Sequence, residues 1–153
     1  VGDIQGCYHP LKSLLKALPK SSKIICMGDL VNRGPNSLNT LRALKKLQEA
    51  GQAECILGNH DLHLLARDAG IRGPKSLDTL DDILNAPDRA ELIDWLRNRP
   101  MVLYSGKENY NTLFVHAGVV PQWDVTQTLE LADELQQALR SMPYHLHLHQ
   151  QPC

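Results

Sequence analysis

The sequence lacks the features that would assign it to several large classes of protein. It has no excess of one charge, since 16 basic residues stand against 17 acidic ones, and this balance excludes the basic surface of a general nucleic-acid binder. It also has no apolar run near membrane-spanning length and no visible signal peptide. None of its four cysteines forms a CxxC pair, which argues against a zinc ribbon. We therefore expect a cytoplasmic protein with reduced cysteines that binds neither nucleic acid nor membranes.

The composition is that of a folded domain. Hydrophobic residues make up 42% of 153 residues, which is enough to form a core. The chain opens on "VGD", typical of the end of a strand, and it closes on "YHLHLHQQPC", which departs from the pattern before it. We predict one domain over residues 1–140, incomplete at both ends, and a divergent tail over residues 141–153.

Strand-like and helical patterns alternate along the chain, which favours parallel strands joined by right-handed crossovers and hence an α/β fold. Asn36 or Ser37 is the expected cap of the second helix and Gly51 its end. A polar turn is predicted over residues 105–111. The predicted strands are "VGD", "KIICMGD", "AECILGN", "MVLY" and "TLFVHAG". The predicted helices cover residues 9–18, 36–51, 60–70, 77–86, 88–99 and 128–140.

Four of these strands end in polar turns that contain glycine: "GDIQG", "GDLVNRG", "GNHD" and "HAG". Ligands of open α/β sheets bind beyond the carboxyl ends of the strands, and glycine lets the backbone turn sharply there. Carboxylates, amide oxygens and imidazoles suit divalent metal ions, while the absence of thiolates excludes a structural zinc site. The side chains expected at this edge are Asp3, Gln5, Asp29, Asn32, Arg33, Asn59, His60, Asp61 and His116.

Each motif also has a simpler interpretation. A single Gly-Asp at a strand end is usually only a turn, and a lone histidine is more often hydrogen-bonded than metal-bound. We predict no role in the site for His9, and for His63 at most a place behind it. The tail histidines, His145, His147 and His149, have strand-like spacing but little weight as ligands. The ordered set of four motifs, rather than any one of them, predicts a site.

This ordered set resembles the signature of the calcineurin-like metallophosphatases, which runs GD-x-HG, GD-x-x-DRG, GNH-[DE] and a later H-[AG]-G. The segments "GDLVNRGPNSL", "LGNHDLHLLA" and "HAGVVPQWD" are more similar still to the bacterial symmetrical diadenosine tetraphosphatases. The resemblance covers nearly all of residues 1–140. It implies a metallophosphatase-type α/β/β/α sandwich, of which this chain is a part truncated at its C-terminal end.

The resemblance implies two divalent metal ions, usually Mn²⁺ or Co²⁺ in this family. Asp3, Gln5 and Asp29 would hold the first ion, and Asp29, Asn59 and His116 the second. Relatives often carry His where this chain has Gln5, although some also have Gln; a neutral amide is the weaker ligand. The family adds one more histidine ligand from a segment that follows the region aligned with this chain.

The remaining roles concern the substrate. Arg33 would bind non-bridging phosphate oxygens, and His60 would protonate or hydrogen-bond the leaving oxygen. Asp61 either orients His60 or caps the helix that it begins, and we favour the cap. Much of the superfamily has Asp at the position of Asn32, paired with the histidine. Asn32 brings no charge, so His60 should be a weaker proton carrier, which suits a departing phosphate oxygen; alternatively, Asn32 only shapes its turn.

The implied reaction is hydrolysis of diadenosine tetraphosphate at its centre to two ADP, by a water activated between two metal ions about 3.5–4 Å apart. The expected partner is thus a small dinucleoside polyphosphate. Trp123 and Tyr110 are candidate surfaces for adenine stacking, although packing is the favoured role of Trp123. Two alternatives stay open: a protein Ser/Thr phosphatase, which usually reads DRG and GNHE, and a fragment that binds metal or nucleotide without turnover.

Overall fold

The structure is a computed structural model, and we describe residues 1–107 and 110–141 of it. Helices alternate with short strands over the first 70 residues, as expected of an α/β fold. The elements are α1 (Tyr8–Ala17), β1 (Ile24–Cys26), α2 (Ser37–Glu49), β2 (Ala53–Cys55), α3 (Asn59–Asp68), α4 (Asp81–Leu84), α5 (Arg89–Arg97), β3 (Val102–Lys107), β4 (Tyr110–Val115) and α6 (Val125–Ser141). None of the helices in these residues has the length and apolar character needed to cross a membrane.

The parallel pair β1 and β2 is extended by irregular segments on both sides. The amino group of Val1 donates to Ile25 O, and Met27 N–H donates to Val1 O, both at 2.8 Å. This alternation is the hydrogen-bond pattern of a parallel ladder, so the segment "VGD", predicted as the end of a strand, lies beside β1 although it is not itself a regular strand. On the other side, Leu57 N–H donates to Pro100 O at 2.9 Å. The strand ends that carry the predicted site are thereby brought to one edge.

Helix α2 begins and ends where its sequence predicts. The side chain of Asn36 accepts a hydrogen bond from Asn39 N–H at 3.3 Å, the contact of an N-cap worth about 1 kcal/mol. Gly51 follows the helix with φ +70°, a conformation that glycine adopts without strain. The helix packs on β2 and α5 with Leu41 and Leu44 fully buried.

A single apolar cluster joins the parallel strands to helices α2, α3, α4 and α5. Truncating a leucine in such a cluster to alanine costs about 2–5 kcal/mol, so this core fixes the strand ends in space. The largest fully buried apolar side chains are Leu30, Leu41, Leu44, Ile56, Leu57, Leu64, Leu80, Ile83, Leu92 and Leu96.

One predicted helix and one predicted turn have other bounds in the structure. The helix predicted over residues 77–86 is only Asp81–Leu84, because the preceding residues bind elsewhere: Thr79 N–H donates to the side chain of Asn32, and Lys75 N–H donates to the side chain of Asp78. The polar turn predicted over residues 105–111 has the wrong bounds, because β3 extends to Lys107 and β4 begins at Tyr110. Ser105 pairs with Thr112 within the antiparallel pair of β3 and β4, since an antiparallel pair tolerates polar residues on an exposed face.

The final helix begins three residues earlier than predicted. Gln127 N–H donates to Asp124 Oδ1 at 2.8 Å, and the Thr128 hydroxyl donates to Asp124 O at 2.7 Å. Asp124 therefore caps α6, a role favoured for aspartate. The predicted tail over residues 141–153 lies outside the described residues except at Ser141, so the boundary after residue 140 stays a prediction. The three tail histidines, His145, His147 and His149, also lie outside.

Candidate active site

The loops at the strand ends have an unusual backbone. The non-glycine residues with positive φ in the described part of the chain are Gln5, Asp29, Asn32 and Arg33, at 46°, 50°, 77° and 64°. All four belong to the predicted site. Each such residue costs about 1–3 kcal/mol and persists only where its surroundings hold it. The loops hold each other here, because Gln5 N–H donates to Asp29 O and Gly34 N–H donates to Gln5 O, both at 2.8 Å.

Two glycines let the strand ends approach closely. A Cβ atom added to Gly58 would lie 2.3 Å from both the backbone N and Oδ1 of Asp29. A Cβ atom added to Gly28, which has φ +87°, would lie 2.7 Å from His116 Nδ1. Glycine is therefore required immediately before Asp29 and before Asn59, where the predicted ligands leave their strands.

The structure brings most of the predicted metal ligands together. Asp3, Asp29 and His116 each offer one ligand atom, and these atoms lie within 4.8 Å of one another. His116 Nε2 is 3.3 Å from Asp29 Oδ1 and 3.1 Å from Asn59 Oδ1. Ligands about 2.1 Å from one ion are separated by about 3.0–3.4 Å, so these distances suit neighbouring positions around a cation. Gln5 N–H donates to Asp29 O at 2.8 Å, so the loop that carries Gln5 lies against the loop that carries Asp29.

The ring of His116 is oriented for a metal ion. Its Nδ1 lies 2.7 Å from Met27 O, which can only accept, so Nδ1 carries the proton. In the neutral ring the other nitrogen, Nε2, then has no proton, and it faces the oxygens of Asn59 and Asp29. Two oxygens and a nitrogen lone pair converge without a hydrogen between them, an arrangement that a cation stabilises. A backbone carbonyl behind a ligating histidine is a common device for fixing its tautomer, and this donor set fits a divalent ion.

Asp29 lies at the centre of these contacts. It is 3% exposed, and its Oδ1 also accepts the backbone N–H of His60 at 2.9 Å. Its Oδ2 lies 3.8 Å from His60 Nε2. One carboxylate therefore faces both the predicted metal ligands and the predicted leaving-group histidine.

Asp61 is fully buried behind the site. Its Oδ2 accepts Gly58 N–H and its Oδ1 accepts Leu30 N–H, both at 2.9 Å. Burial raises the pKa of this carboxyl to about 7, although the backbone hydrogen bonds oppose the shift. The first contact is the helix cap that the sequence favours. The second, which the sequence did not indicate, ties the loop after β1 to the start of α3.

Arg33 extends from the strained loop. Its side chain is exposed, and within residues 1–107 and 110–141 no hydrogen bond or ion pair involves its guanidinium. Its backbone N–H donates to Asn32 Oδ1 at 2.9 Å. The guanidinium of Arg33, a cation with a planar set of hydrogen-bond donors, is therefore available to bind an anion.

Asp78, which sequence reasoning missed, completes a buried chain of hydrogen-bonded polar side chains. Asn32 Nδ2 lies 3.0 Å from His60 Nδ1 and 3.1 Å from Asp78 Oδ1. His63 Nε2 lies 2.8 Å from Asp78 Oδ2, so His63 does lie behind the site. Asp78 falls within the helix predicted over residues 77–86, so its position in the sequence did not indicate a role in the site. Its place shortly after Gly73 and Pro74 was the one local sign of a loop.

A mostly apolar cavity of about 370 Å³ opens beside Asn59 and His116. Trp123 lines it and is 41% exposed, together with residues of α6 such as Leu131 and Leu135. Trp123 is thus neither buried in the core nor remote from the site. The side chain of Tyr110, the other candidate for stacking, lies outside the described part of the structure.

The model of the calcineurin-like phosphoesterase family matches residues 1–150, a range that includes all of the candidate site residues described above. The chain belongs to this family.

Its curated relatives share a more particular name. The symmetrical bis(5'-nucleosyl)-tetraphosphatase of Ralstonia nicotianae is 53% identical over 141 residues, which cover 92% of this chain and 48% of the relative. The enzyme of the same name from Bordetella pertussis is 51% identical over 144 residues, covering 92% and 50%. The chain therefore spans about half the length of the curated relatives that it matches.

Solved structures agree on the fold. A crystal structure of a protein provisionally identified as a diadenosine tetraphosphatase has a TM-score of 0.65 and 32% identity, covering 83% of this chain and 52% of that one. The hypothetical protein PH1004 from Pyrococcus horikoshii has a TM-score of 0.53 at 14% identity, covering 90% and 64%. At that identity the likeness concerns the fold alone.

Proposed function

We propose that this protein hydrolyses dinucleoside tetraphosphates symmetrically, converting diadenosine tetraphosphate to two ADP with the help of two divalent metal ions, Mn²⁺ or Co²⁺. The observation that carries the proposal is the convergence of ligand atoms from Asp3, Asp29 and His116 beside Asn59. Relatives about 50% identical to the chain bear the name of this activity.

The proposed ligands divide into two overlapping sets. Asp3, Gln5 and Asp29 hold one ion, and Asp29, Asn59 and His116 hold the other. Bound ions supply Lewis-acid charge for the phosphoryl oxygens and lower the pKa of water. Asp29 is the shared ligand, in keeping with its central position between His116 and His60.

The other residues bind and orient the polyphosphate. Arg33 takes non-bridging oxygens, because its guanidinium is exposed beside the site and has no partner among the described residues. His60 holds the oxygen of the departing nucleoside diphosphate by a hydrogen bond from Nε2, the ring nitrogen on the side of Asp29. A phosphate oxygen needs less help from a proton than an alkoxide does, since its last pKa is about 6.

The proposal is tested with the purified full-length protein, diadenosine tetraphosphate and a phosphoserine peptide. We expect ADP as the only nucleotide product, no activity in EDTA, and recovery with Mn²⁺. His116→Ala should abolish hydrolysis, whereas His9→Ala, which changes an exposed histidine on α1, should not. Full activity in chelator, or formation of ATP and AMP, would contradict the proposal. Hydrolysis of the peptide alone would favour the protein phosphatase alternative.

A further inference from the structure

The side chain of Asn32 is buried and uses its whole hydrogen-bonding capacity. It is 1% exposed, and its Oδ1 accepts two backbone N–H groups, from Arg33 and from Thr79, each at 2.9 Å. Its Nδ2 has two hydrogens and two neighbours, His60 Nδ1 at 3.0 Å and Asp78 Oδ1 at 3.1 Å. An amide has two acceptor positions and two donor hydrogens, so none of them is left over.

These neighbours fix which way the amide faces. Turning it over would set the NH₂ group against two backbone N–H groups and the oxygen against the carboxylate of Asp78. A buried polar group left without a hydrogen-bond partner destabilises the fold, so the observed orientation is strongly preferred. In this orientation Asn32 donates to His60 Nδ1. That nitrogen accepts, and the proton of the neutral ring is on Nε2, 3.8 Å from Asp29 Oδ2.

Asp78 is itself held in place from the far side. Its side chain is 5% exposed, and its Oδ2 accepts Lys75 N–H and contacts His63 Nε2, both at 2.8 Å. The guanidinium of Arg67 lies 3.7 Å from the same oxygen. Burial alone would raise the pKa of this carboxyl, but the hydrogen bonds from Lys75, His63 and Asn32 outweigh it and hold the pKa at about 2. Its other oxygen is thus an anionic acceptor at a fixed point beside Asn32.

We propose that Asp78 is a positioning residue for His60. Its carboxylate accepts one Nδ2 hydrogen of Asn32, which directs the other hydrogen at His60 Nδ1 and keeps the ring proton on Nε2, on the side of the site. The catalytic meaning of this contact rests on the proposed function, since Nε2 is the atom assigned to the leaving oxygen. The hydrogen-bond chain itself does not depend on the substrate.

The first test determines the tautomer of His60 in the wild-type protein. Long-range ¹H–¹⁵N correlation spectra of the full-length protein with Zn²⁺, which is diamagnetic, report which nitrogen of each histidine carries the proton. The signals of His60 are identified by their loss in His60→Gln. We expect a protonated Nε2 and an unprotonated, hydrogen-bonded Nδ1. A proton on Nδ1 would overturn the proposal, whatever the enzyme hydrolyses.

The second test is Asp78→Asn, which keeps the size of the side chain and removes its charge. We expect the His60 signals to move toward an average of two tautomers, and kcat for diadenosine tetraphosphate to fall about 10- to 100-fold with little change in KM. Asp88→Asn is the matched control, because it removes a carboxylate from an ion pair with Arg42 away from the site. Unchanged His60 signals and kcat in Asp78→Asn would refute the positioning role.

A third comparison tests the coupling through Asn32. Asn32→Asp alone sets two carboxylates about as close as the present 3.1 Å contact, so it should be less stable than the wild type. Adding Asp78→Asn should restore stability and move the proton of His60 to Nδ1, toward the new carboxylate. If the double variant is no more stable than Asn32→Asp, the two positions are not coupled and the proposal fails. If the wild-type protein does not hydrolyse diadenosine tetraphosphate, that result would contradict only the proposed function.

Discussion

Asp29 combines more roles than any other side chain of the candidate site. It lies beside His116 through Oδ1 and beside His60 through Oδ2, and its Oδ1 also accepts the backbone N–H of His60 in the first turn of α3. Its own backbone has φ +50°. A residue that is strained, nearly buried and charged is costly to the fold. In the proposed function, a cation held by Asp29 and its neighbours would offset that cost.

Asp29→Asn should be the most damaging single change to the proposed activity. Loss of its charge weakens both metal positions that share this carboxylate, so hydrolysis should fall at least about 100-fold. Isothermal calorimetry with Mn²⁺ should show fewer than two ions bound per chain. Asp88→Asn serves as the control for loss of an aspartate elsewhere. Two full equivalents of metal with near-normal turnover would show that Asp29 does not bridge the ions.

For individual residues, the sequence predicted membership of the candidate site where a residue follows a strand. Asp3, Asp29 and Asn59 each directly follow a glycine at the end of a predicted strand, and His116 directly follows β4. The carboxyl ends of parallel strands meet at one edge of a sheet. Asp78 has no such marker. It reaches Asn32 across 46 positions of sequence, and that contact depends on the path of a loop that has no periodic pattern. Tertiary contacts of this kind are invisible to spacing arguments.

Among the helices and strands, α3 illustrates how one side chain secures an element and its neighbour. Both oxygens of Asp61 accept backbone hydrogens, one from Gly58 before its own helix and one from Leu30 after β1. The cap therefore also sets the distance between two loops that carry proposed metal ligands.

Asp61→Asn should destabilise the protein by about 1–3 kcal/mol, because an amide has one oxygen for two donors and turns its NH₂ group toward one of them. Urea unfolding monitored by circular dichroism measures the difference. Asn36→Ala is a useful reference, since it removes a cap that serves only α2 and should cost about 1 kcal/mol. A smaller loss for Asp61→Asn than for Asn36→Ala would contradict the double role.

Elements were predicted well where their apolar spacing was regular and poorly where polar side chains had another partner. The amphipathic α2 and its cap are as expected. The helix before Pro87 is short because Asp78 and Thr79 bind side chains of the site instead. Strands β3 and β4 continue into a polar segment because cross-strand hydrogen bonds do not require apolar side chains. The polar sequence of these strand ends therefore resembled that of a turn.

Over the whole molecule, the proposed site joins segments from residue 3 to residue 116. A cation bound there would contact loops that follow several different strands. Ligand binding to the native state alone stabilises a protein by mass action, about 2.7 kcal/mol at 100 times the dissociation constant. Metal binding should therefore be measurable as an increase in the free energy of unfolding.

Removal of metal by EDTA should lower the melting temperature by about 5–10 °C, and Mn²⁺ should restore it. Differential scanning calorimetry of the full-length protein provides the measurement. His9→Ala should respond as the wild type does, whereas His116→Ala should lose most of the response. A melting temperature that is independent of chelator and Mn²⁺ in the wild type would argue against the proposed metal site.

The contact between Asn32 and Asp78 also constrains how such a site can change over generations. Carboxylates at both positions would lie about 3.1 Å apart in a buried place, where like charges repel strongly. A lineage that carries the aspartate common in the superfamily at position 32 therefore meets a barrier if position 78 becomes acidic first. If the amide arises first, the intermediate loses only a charge beside the histidine and stays folded. Electrostatics therefore favours a neutral side chain at position 32 wherever position 78 is acidic.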